Sequence, residues 1–385
     1  MEITERQVVD LVSDLVRIES VTPWLVPGGA GEVEVERYIA DWLSDLPVEV
    51  MIDEFEAGRA NLLARLRGTG NGPTLCINAH ADTVGYANWA DEALKPRRDG
   101  YRLYGLGAAD DKAGCAAALL TLRAVASSGS RLSGDLLVAL VADEEGASAG
   151  TERLIAHQSI DAAIVIEPGD LSRVIVEHQG FGWIDIIVIG KAAHGSAPDQ
   201  GVDAIVLLAE IITRLHRHDA TSFVPHPHPR NGRTAFHTST VHGGTDYATY
   251  PSRAELGVEI GTQPGEHLSD RVREIEAIFS EVRISHPELQ VEMRVRMDRE
   301  PFEAKGHERL YDVLDSAALI HLGHHLEPAG LNAWTDAALM QQAGIPTVLF
   351  GPRGGNIHAP DEWVDIPEVV ALCAVLEDSV RAFLV

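Results

Sequence analysis

Through the first half of the chain, short apolar runs with no polar break alternate with stretches whose apolar residues recur at helical spacing. Residues 136–141 and 162–166 are apolar throughout and polar at their flanks. That pattern suits strands covered on both faces in an α/β sheet. Residues 48–52, 61–67 and 74–78 read as further strands. Residues 3–16 place Val8, Leu11 and Leu15 on one helical face, and 32–43 do the same with Val35, Ile39 and Trp42. Residues 113–127 are rich in Ala and Leu and contain no Pro, so propensity makes them a helix. Between the first two helices, Thr22-Pro23-Trp24 and Pro27-Gly28-Gly29-Ala30-Gly31 form a loop.

After about residue 175 the pattern changes. Residues 174–176 and 183–189 look like strands, 202–215 like an apolar-periodic helix, and 223–232 like a Pro/His-rich loop. A strand at 254–260, a helix at 268–279 and a strand at 291–295 follow. Strands and helices interleaved in that proportion predict a small α+β sandwich with its helices on one face. Beyond Arg299 come helices and one strong strand, 347–350, ending in Gly351-Pro352-Arg353-Gly354-Gly355 shortly before His358. The simplest architecture is a discontinuous α/β domain (1–175 and 299–385) with a smaller domain (176–298) inserted.

Composition narrows the function. The 385 residues are 45% hydrophobic and 23% charged, enough apolar content for a sizeable core. Asp plus Glu number 58 against 31 Lys plus Arg, a net charge of -27. Nucleic acid and anionic membrane would both be repelled, so neither is expected as a partner, and the acidity serves solubility. Cys76, Cys115 and Cys373 are far apart and contain no C-x-x-C pair, which fits buried small apolar residues better than a disulfide framework or thiolate site. Met1-Glu2-Ile3-Thr4-Glu5-Arg6 lacks the basic start and apolar run of a signal peptide, and no stretch reaches the roughly 18 apolar residues of a membrane span. A cytoplasmic protein is the expectation.

The candidate chemistry sits mostly where apolar runs stop. Five segments carry it: His80-Ala81-Asp82, Asp110-Asp111-Lys112, Asp143-Glu144-Glu145, Glu167-Pro168 and Gly354-Gly355-Asn356-Ile357-His358. So many ionisable groups at partly buried positions are unfavourable unless a positive charge neutralises them, and His, Asp and Glu suit zinc or a similar divalent ion. His80 follows a buried strand, where α/β sheets put their sites, and Asp82 is placed to hold its other ring nitrogen. A turn with an ordinary His and Asp reads equally well from this pair alone. Of Asp110 and Asp111, at the start of a helix, one caps while the other ligates, or both only cap. Side chains of neighbouring residues point apart, so in Asp143-Glu144-Glu145 one Glu can bind metal while the next reaches a bound water as general base. Together the segments can supply ligands for two ions, with one carboxylate shared as a bridge.

In these segments the chain resembles the metal-dependent deacylases and peptidases that include acetylornithine deacetylase, succinyl-diaminopimelate desuccinylase, aminoacylase and carboxypeptidase G. The resemblance spans essentially the whole chain. It implies an α/β zinc-peptidase-like catalytic domain with an inserted α+β, ferredoxin-like domain for dimerisation or as a lid. It also implies two zinc ions, cobalt or manganese being alternatives, and a homodimer formed through the insertion. By the same resemblance His80 and Glu167 hold one ion, Glu145 and His358 the other, and Asp110 bridges them. Asp82 orients the first His, and Glu144 is the general base beside a metal-bridging hydroxide. Gly190-Lys191-Ala192-Ala193-His194-Gly195-Ser196-Ala197-Pro198 resembles the family's G-x-x-x-H-[SG]-[SA]-x-P segment. Its His194 would then reach the partner's active site and help stabilise the carbonyl oxygen as it gains charge; from chemistry alone it is an ordinary loop His.

Two positions depart from the family pattern. Ala248 stands where relatives often have Asn three residues before a Pro, here Pro251. Glu259-Ile260-Gly261-Thr262-Gln263-Pro264 has Gly261 in place of the Arg of D-x-R-x-x-P. Many relatives grip a substrate carboxylate with those groups. Arg353 offers a replacement charge, unless it is simply a solvated surface residue. Three readings follow: a dinuclear zinc hydrolase of a small N-acyl amino acid or related amide; the same fold acting on a carboxylate-free or aromatic amine or amide, as deaminase or amidase; and a metal-bound binding protein that has lost catalysis.

Overall fold

The structure, a computed structural model, describes residues 3–89, 92–129 and 131–385. Met1 and Glu2, with which the first expected domain and the N-terminal reading begin, lie outside the described residues. The chain divides into two compact units: the first takes Met1–Val176, Ala304–Pro328 and Leu339–Val385, the second Glu177–Glu303 and Ala329–Ala338. The sequence pattern carried no signal for the second unit's short return at 329–338.

In chain order the first stretch holds α1 (Glu5–Arg17), α2 (Val33–Trp42), β1 (Glu49–Glu56), β2 (Arg59–Leu66), β3 (Thr74–His80), β4 (Arg97–Asp99), β5 (Arg102–Tyr104), α3 (Lys112–Ser127), β6 (Asp135–Val141), α4 (Ala149–His157), β7 (Ala162–Val165) and β8 (Arg173–His178). The middle stretch holds β9 (Gly180–Ile189), α5 (Ala204–His218), β10 (Phe236–Gly243), β11 (Arg253–Thr262), α6 (Leu268–Ser285), β12 (Gln290–Arg299) and β13 (Phe302–Glu303). The last holds α7 (Glu308–His321), β14 (Glu327–Leu331), α8 (Ala337–Gln342), β15 (Thr347–Leu349), β16 (Gly354–Gly355), β17 (Trp363–Asp365) and α9 (Ile366–Leu384).

The unbroken apolar runs become strands buried on both faces. Leu75, Ile77 and Ala79 of β3 enter one core with Leu136, Val138 and Leu140 of β6, while Cys76, Leu137, Ala139 and Val141 enter another on the opposite face. That division is the period of 2 of a pleated strand. α1, α3 and α9 cover the first face and Leu154 of α4 the second. β6, β3, β7 and β15 are parallel neighbours, with β2 and β1 antiparallel beyond β6. Residues 174–176, grouped by the sequence pattern with the inserted strands, instead lie in β8, whose Ile175 pairs antiparallel with Leu349. A three-residue apolar run is too short for periodicity to assign it to a sheet. A small sheet of β16, β17, β5 and β4 also went unsignalled, because its strands are two or three residues long.

The second unit is α+β. Its antiparallel sheet runs β10-β11-β9-β12, and α5 and α6 pack on one face through Leu208, Ile211, Ile275 and Phe279. The chain order β9-α5-β10-β11-α6-β12 with that strand order is ferredoxin-like, as expected.

Candidate metal centre

Parallel strands deliver their C-terminal ends to one edge. β3 ends at His80, β6 runs into Asp143-Glu144-Glu145, β7 into Glu167, and β15 leads to the segment of His358. α3, which follows β3, covers one face of the sheet, and α4, which follows β6, covers the other, so the two connections part at this edge. Such an edge is where an open α/β sheet can form a crevice.

Asp110 lies at the middle of the cluster. Its Oδ1 is 2.9 Å from Nε2 of His80, and its Oδ2 is 3.2 Å from Nε2 of His358. His358 Nε2 also lies 2.9 Å from Oε1 of Glu145. One donor atom each from His80, Asp110 and Glu145 can be chosen with all three within 4.8 Å of one another, and the same holds for His80, Glu144 and Glu167. Two ligands about 2 Å from a common ion lie no more than about 4 Å apart, so these spans are near the coordination distance. The second grouping includes Glu144, so this residue is close enough to His80 and Glu167 for either a ligand or a base. His194 belongs to the second unit and is outside both groupings.

The charge balance also fits a cation. Burial pushes the Glu167 carboxyl well above its ordinary range, and Glu144 adds to the rise; Glu145 is raised by burial and by Asp110. Burial alone would lower the His80 ring, but hydrogen bonds with Asp110 and Asp82 hold it well above 6.5. Asp110 and Glu145 lift His358 to about 10. Burial would raise Asp110, yet its contacts with the two histidines win and lower it. Protons are thus compensating a carboxylate excess that a divalent ion would compensate directly. The donor set of imidazole and carboxylate matches zinc, and equally cobalt or manganese.

Buried acids beside the cluster hold its loops by their backbone. His80 Nδ1 lies 3.1 Å from the carbonyl oxygen of Asp82. A carbonyl only accepts, so Nδ1 carries a proton and Nε2 is the atom left to meet an ion. The Asp82 carboxylate is 3.5 Å from that ring nitrogen and also accepts the N–H groups of Glu144 at 3.1 Å and Glu145 at 3.2 Å. Asp111 is the cap of α3 and accepts from Gly114 N–H at 3.1 Å, which leaves Asp110 for the cluster. The peptide between them is cis. Asp143 takes no part in the cluster: it sits at φ +70° and binds Arg59 at 2.8 Å and the Thr22 hydroxyl at 2.9 Å. Arg59 also forks onto Glu32. Asn356 and His358 lie at φ +55° and +61°, a left-handed backbone that costs non-glycine residues about 1 kcal/mol or more.

Sequence reasoning missed Arg59 and also Glu362, whose buried carboxylate accepts three N–H groups of the segment ending in Asp110. It missed Lys112 as well. That side chain is 1% exposed, donates to the carbonyls of Leu15 and Ile18 at the end of α1, and is lowered by burial to about 8. The only available signal was a lone charge beside an acidic motif.

In the second unit, His194 Nδ1 accepts the Ser196 N–H at 3.2 Å, so the neutral ring carries its proton on Nε2. The Gly195 N–H donates to the Ala248 carbonyl at 2.7 Å, a contact that needs only the backbone of residue 248. A Cβ at Gly261 would meet Oε1 of Gln179 at 2.6 Å. Gln179 accepts the Ala235 N–H, and its amide lies against that of Asn332, so neutral amides fill this place. Arg353 is ion-paired with Glu368 at 3.1 Å and lines a cavity of about 380 Å³ with Asp170, His321 and His324, none of them in the acidic cluster.

Residues 76–382 match the sequence pattern of peptidase family M20/M25/M40. The chain is 29% identical over 377 residues to acetylornithine deacetylase of Aliivibrio fischeri, covering 92% of this chain and 93% of that protein. To acetylornithine deacetylase of Proteus mirabilis it is 30% identical over 349 residues, with 85% and 84% covered. In fold it is similar to a tripeptidase from Staphylococcus aureus, with a TM-score of 0.81, 22% identity and both chains covered completely. It is also similar to a dinuclear metal-binding peptidase of Bacillus subtilis, with a TM-score of 0.74, 16% identity, and 99% and 98% covered.

Proposed function

The chain belongs to peptidase family M20/M25/M40, a family of metal-dependent hydrolases of amide bonds, and from that premise we propose that it deacylates a small N-acyl amino acid or a related amide at a centre of two divalent ions. The supporting observation is Asp110, whose two oxygens face two different imidazoles. That is the disposition of a carboxylate shared between two ions. His80 and Glu167 would hold one ion and Glu145 and His358 the other, with zinc the first choice and cobalt or manganese alternatives. When bound, such an ion polarises the amide carbonyl and brings the pKa of a water from about 15.7 toward roughly 7.

Glu144 acts as the general base: it takes the proton of the attacking water and returns it to the departing amine. Asp82 fixes the loop of Glu144 and Glu145 through two N–H bonds, and its backbone carbonyl sets the tautomer of His80. His194, with its proton on Nε2, is a donor for the carbonyl oxygen as that atom gains charge, delivered by a second copy of the chain. The dimer would form through the second unit, where Val241 on the edge strand β10 and Ile205 and Val206 on α5 are exposed.

A second reading keeps this chemistry and changes the substrate to a carboxylate-free amide. The neutral amides around Gly261 and the commitment of Arg353 to Glu368 favour it. One experiment tests both readings: chelator-stripped protein is refilled with zinc and assayed on N-acyl amino acids and on matched amides lacking the carboxylate. Zinc-restored hydrolysis of the acids supports the first reading, and preference for the carboxylate-free partners supports the second. Zinc binding without hydrolysis of either set would overturn the proposed activity.

A further inference from the structure

Glu362 joins two segments that carry cluster residues. Its Oε1 accepts the N–H groups of Ala109 at 2.9 Å and Asp110 at 3.0 Å, and its Oε2 accepts that of Gly107 at 3.2 Å. Its own carbonyl accepts the Gly105 N–H at 3.1 Å, so the residue grips the 105–110 segment from both ends. On its other side the Glu362 N–H donates to Ala359, and the Ala359 N–H donates to Asn356, closing the turn that contains His358. Trp363, the next residue, pairs with Tyr104 in the small sheet.

The chemistry of this contact is specific to a carboxylate. Three N–H donors converge on a side chain that is 1% exposed and favour its anion, against burial that pushes the carboxyl up to about 7. An amide side chain offers one acceptor oxygen and would turn its NH₂ toward an N–H donor. A shorter Asp keeps the charge and loses reach. Stability alone would not require the anion to be placed on the residue that also ends the His358 turn.

We propose that Glu362 is a positioning residue that sets Asp110 between His80 and His358 and thereby governs how tightly the centre takes its pair of ions. This inference rests on the two-ion reading above. Its role is mechanical: Asp110 binds, and Glu362 fixes the backbone from which Asp110 projects. Groups of this kind change metal affinity by about 10–100-fold when altered.

The test compares wild type, Glu362→Gln, Glu362→Asp and a control, Leu136→Ala, which removes a core side chain at the start of β6, the end remote from the cluster edge. Zinc dissociation constants are measured by titration in chelator buffer on protein with wild-type circular dichroism, and the visible absorption of the Co²⁺-loaded forms reports the ligand geometry. The expected result is a rise of 10-fold or more in at least one zinc constant and an altered cobalt spectrum for Glu362→Gln, while Leu136→Ala lowers the melting temperature and leaves both within 2-fold of wild type. If Glu362→Gln does not fold, Glu362→Asp is held to the same criterion. Wild-type constants and spectrum in the Glu362 variant, with two ions bound by wild type, would overturn the role of Glu362 alone. Fewer than two ions in wild type would overturn the two-ion reading and this inference with it.

Discussion

The two sheets of this chain handle charge in opposite ways. In the first unit β6, β3 and β7 are buried along both faces, so polar groups have nowhere to sit except past the strand ends. His80, Glu167 and the acids after β6 collect there, close enough to perturb one another's protonation. In the second unit β9 and β11 alternate buried and half-exposed residues, and β12 carries Glu292, Arg294 and Arg296 outward, where water screens them. A parallel sheet covered on both faces therefore concentrates charge at one edge, and an antiparallel sheet with an open face disperses it. Only the concentrated arrangement needs a cation.

The largest break in that contrast should come from Asp110→Ala, which removes the carboxylate facing both histidines. Neither ion should bind at micromolar zinc, and turnover should fall by at least the roughly 10⁴-fold expected for loss of a strong catalytic group. Metal analysis and initial rates check both, and the melting of the second unit should not change. Next in size is His178 of the second unit, fully buried between the Gln179 carbonyl and the Thr335 hydroxyl, with its pKa pushed down by burial to about 4. The unfolded ring titrates near 6.5, so the unfolded state takes up protons first as pH falls. The stability in question is complete above about pH 6.5 and is lost toward pH 4, by roughly 3 kcal/mol in all. Denaturant unfolding of His178→Gln should lose that slope.

Zinc itself should separate the units. Zinc at 100 times its dissociation constant adds about 2.7 kcal/mol to the state that binds it. Calorimetry should show this as an upward shift of the first unit's transition, with the second unmoved. The smallest effect belongs to the dispersed charges: Arg294→Ala breaks an exposed pair with Glu292 at 3.0 Å and should change unfolding free energy by less than about 1 kcal/mol.

Much of this was legible in the sequence because burial on both faces leaves an unambiguous mark. Residues 136–141 and 162–166 suit covered strands, and a solvated face explains poorly the three acids that follow the first run, while the single acid after the second is unremarkable by itself. The α+β character of the second unit followed from interleaved strands and helices, and its ferredoxin-like order from the family resemblance. What was not legible rests on backbone hydrogen bonds, which leave no side-chain pattern. Glu362 reads as one more acid before Trp363, and only its three N–H partners reveal what it holds. Asp82 likewise reads only as a partner for the His80 ring, and nothing in the sequence shows that its carboxylate also accepts two N–H groups of the Glu144–Glu145 loop. Arg97 and its neighbours in β4 are exposed and too few to show any period.

The central claim is that the acids at the first unit's edge are a metal centre with Glu144 beside it as the base. Glu144→Gln, prepared and zinc-loaded in parallel with wild type, tests it most directly through bound zinc per chain and turnover on the same N-acyl substrate. The account predicts two zinc ions in both proteins and a loss of about 10²–10⁴-fold in turnover for the variant. Near-normal turnover in Glu144→Gln, or loss of a zinc ion from it, would contradict the account.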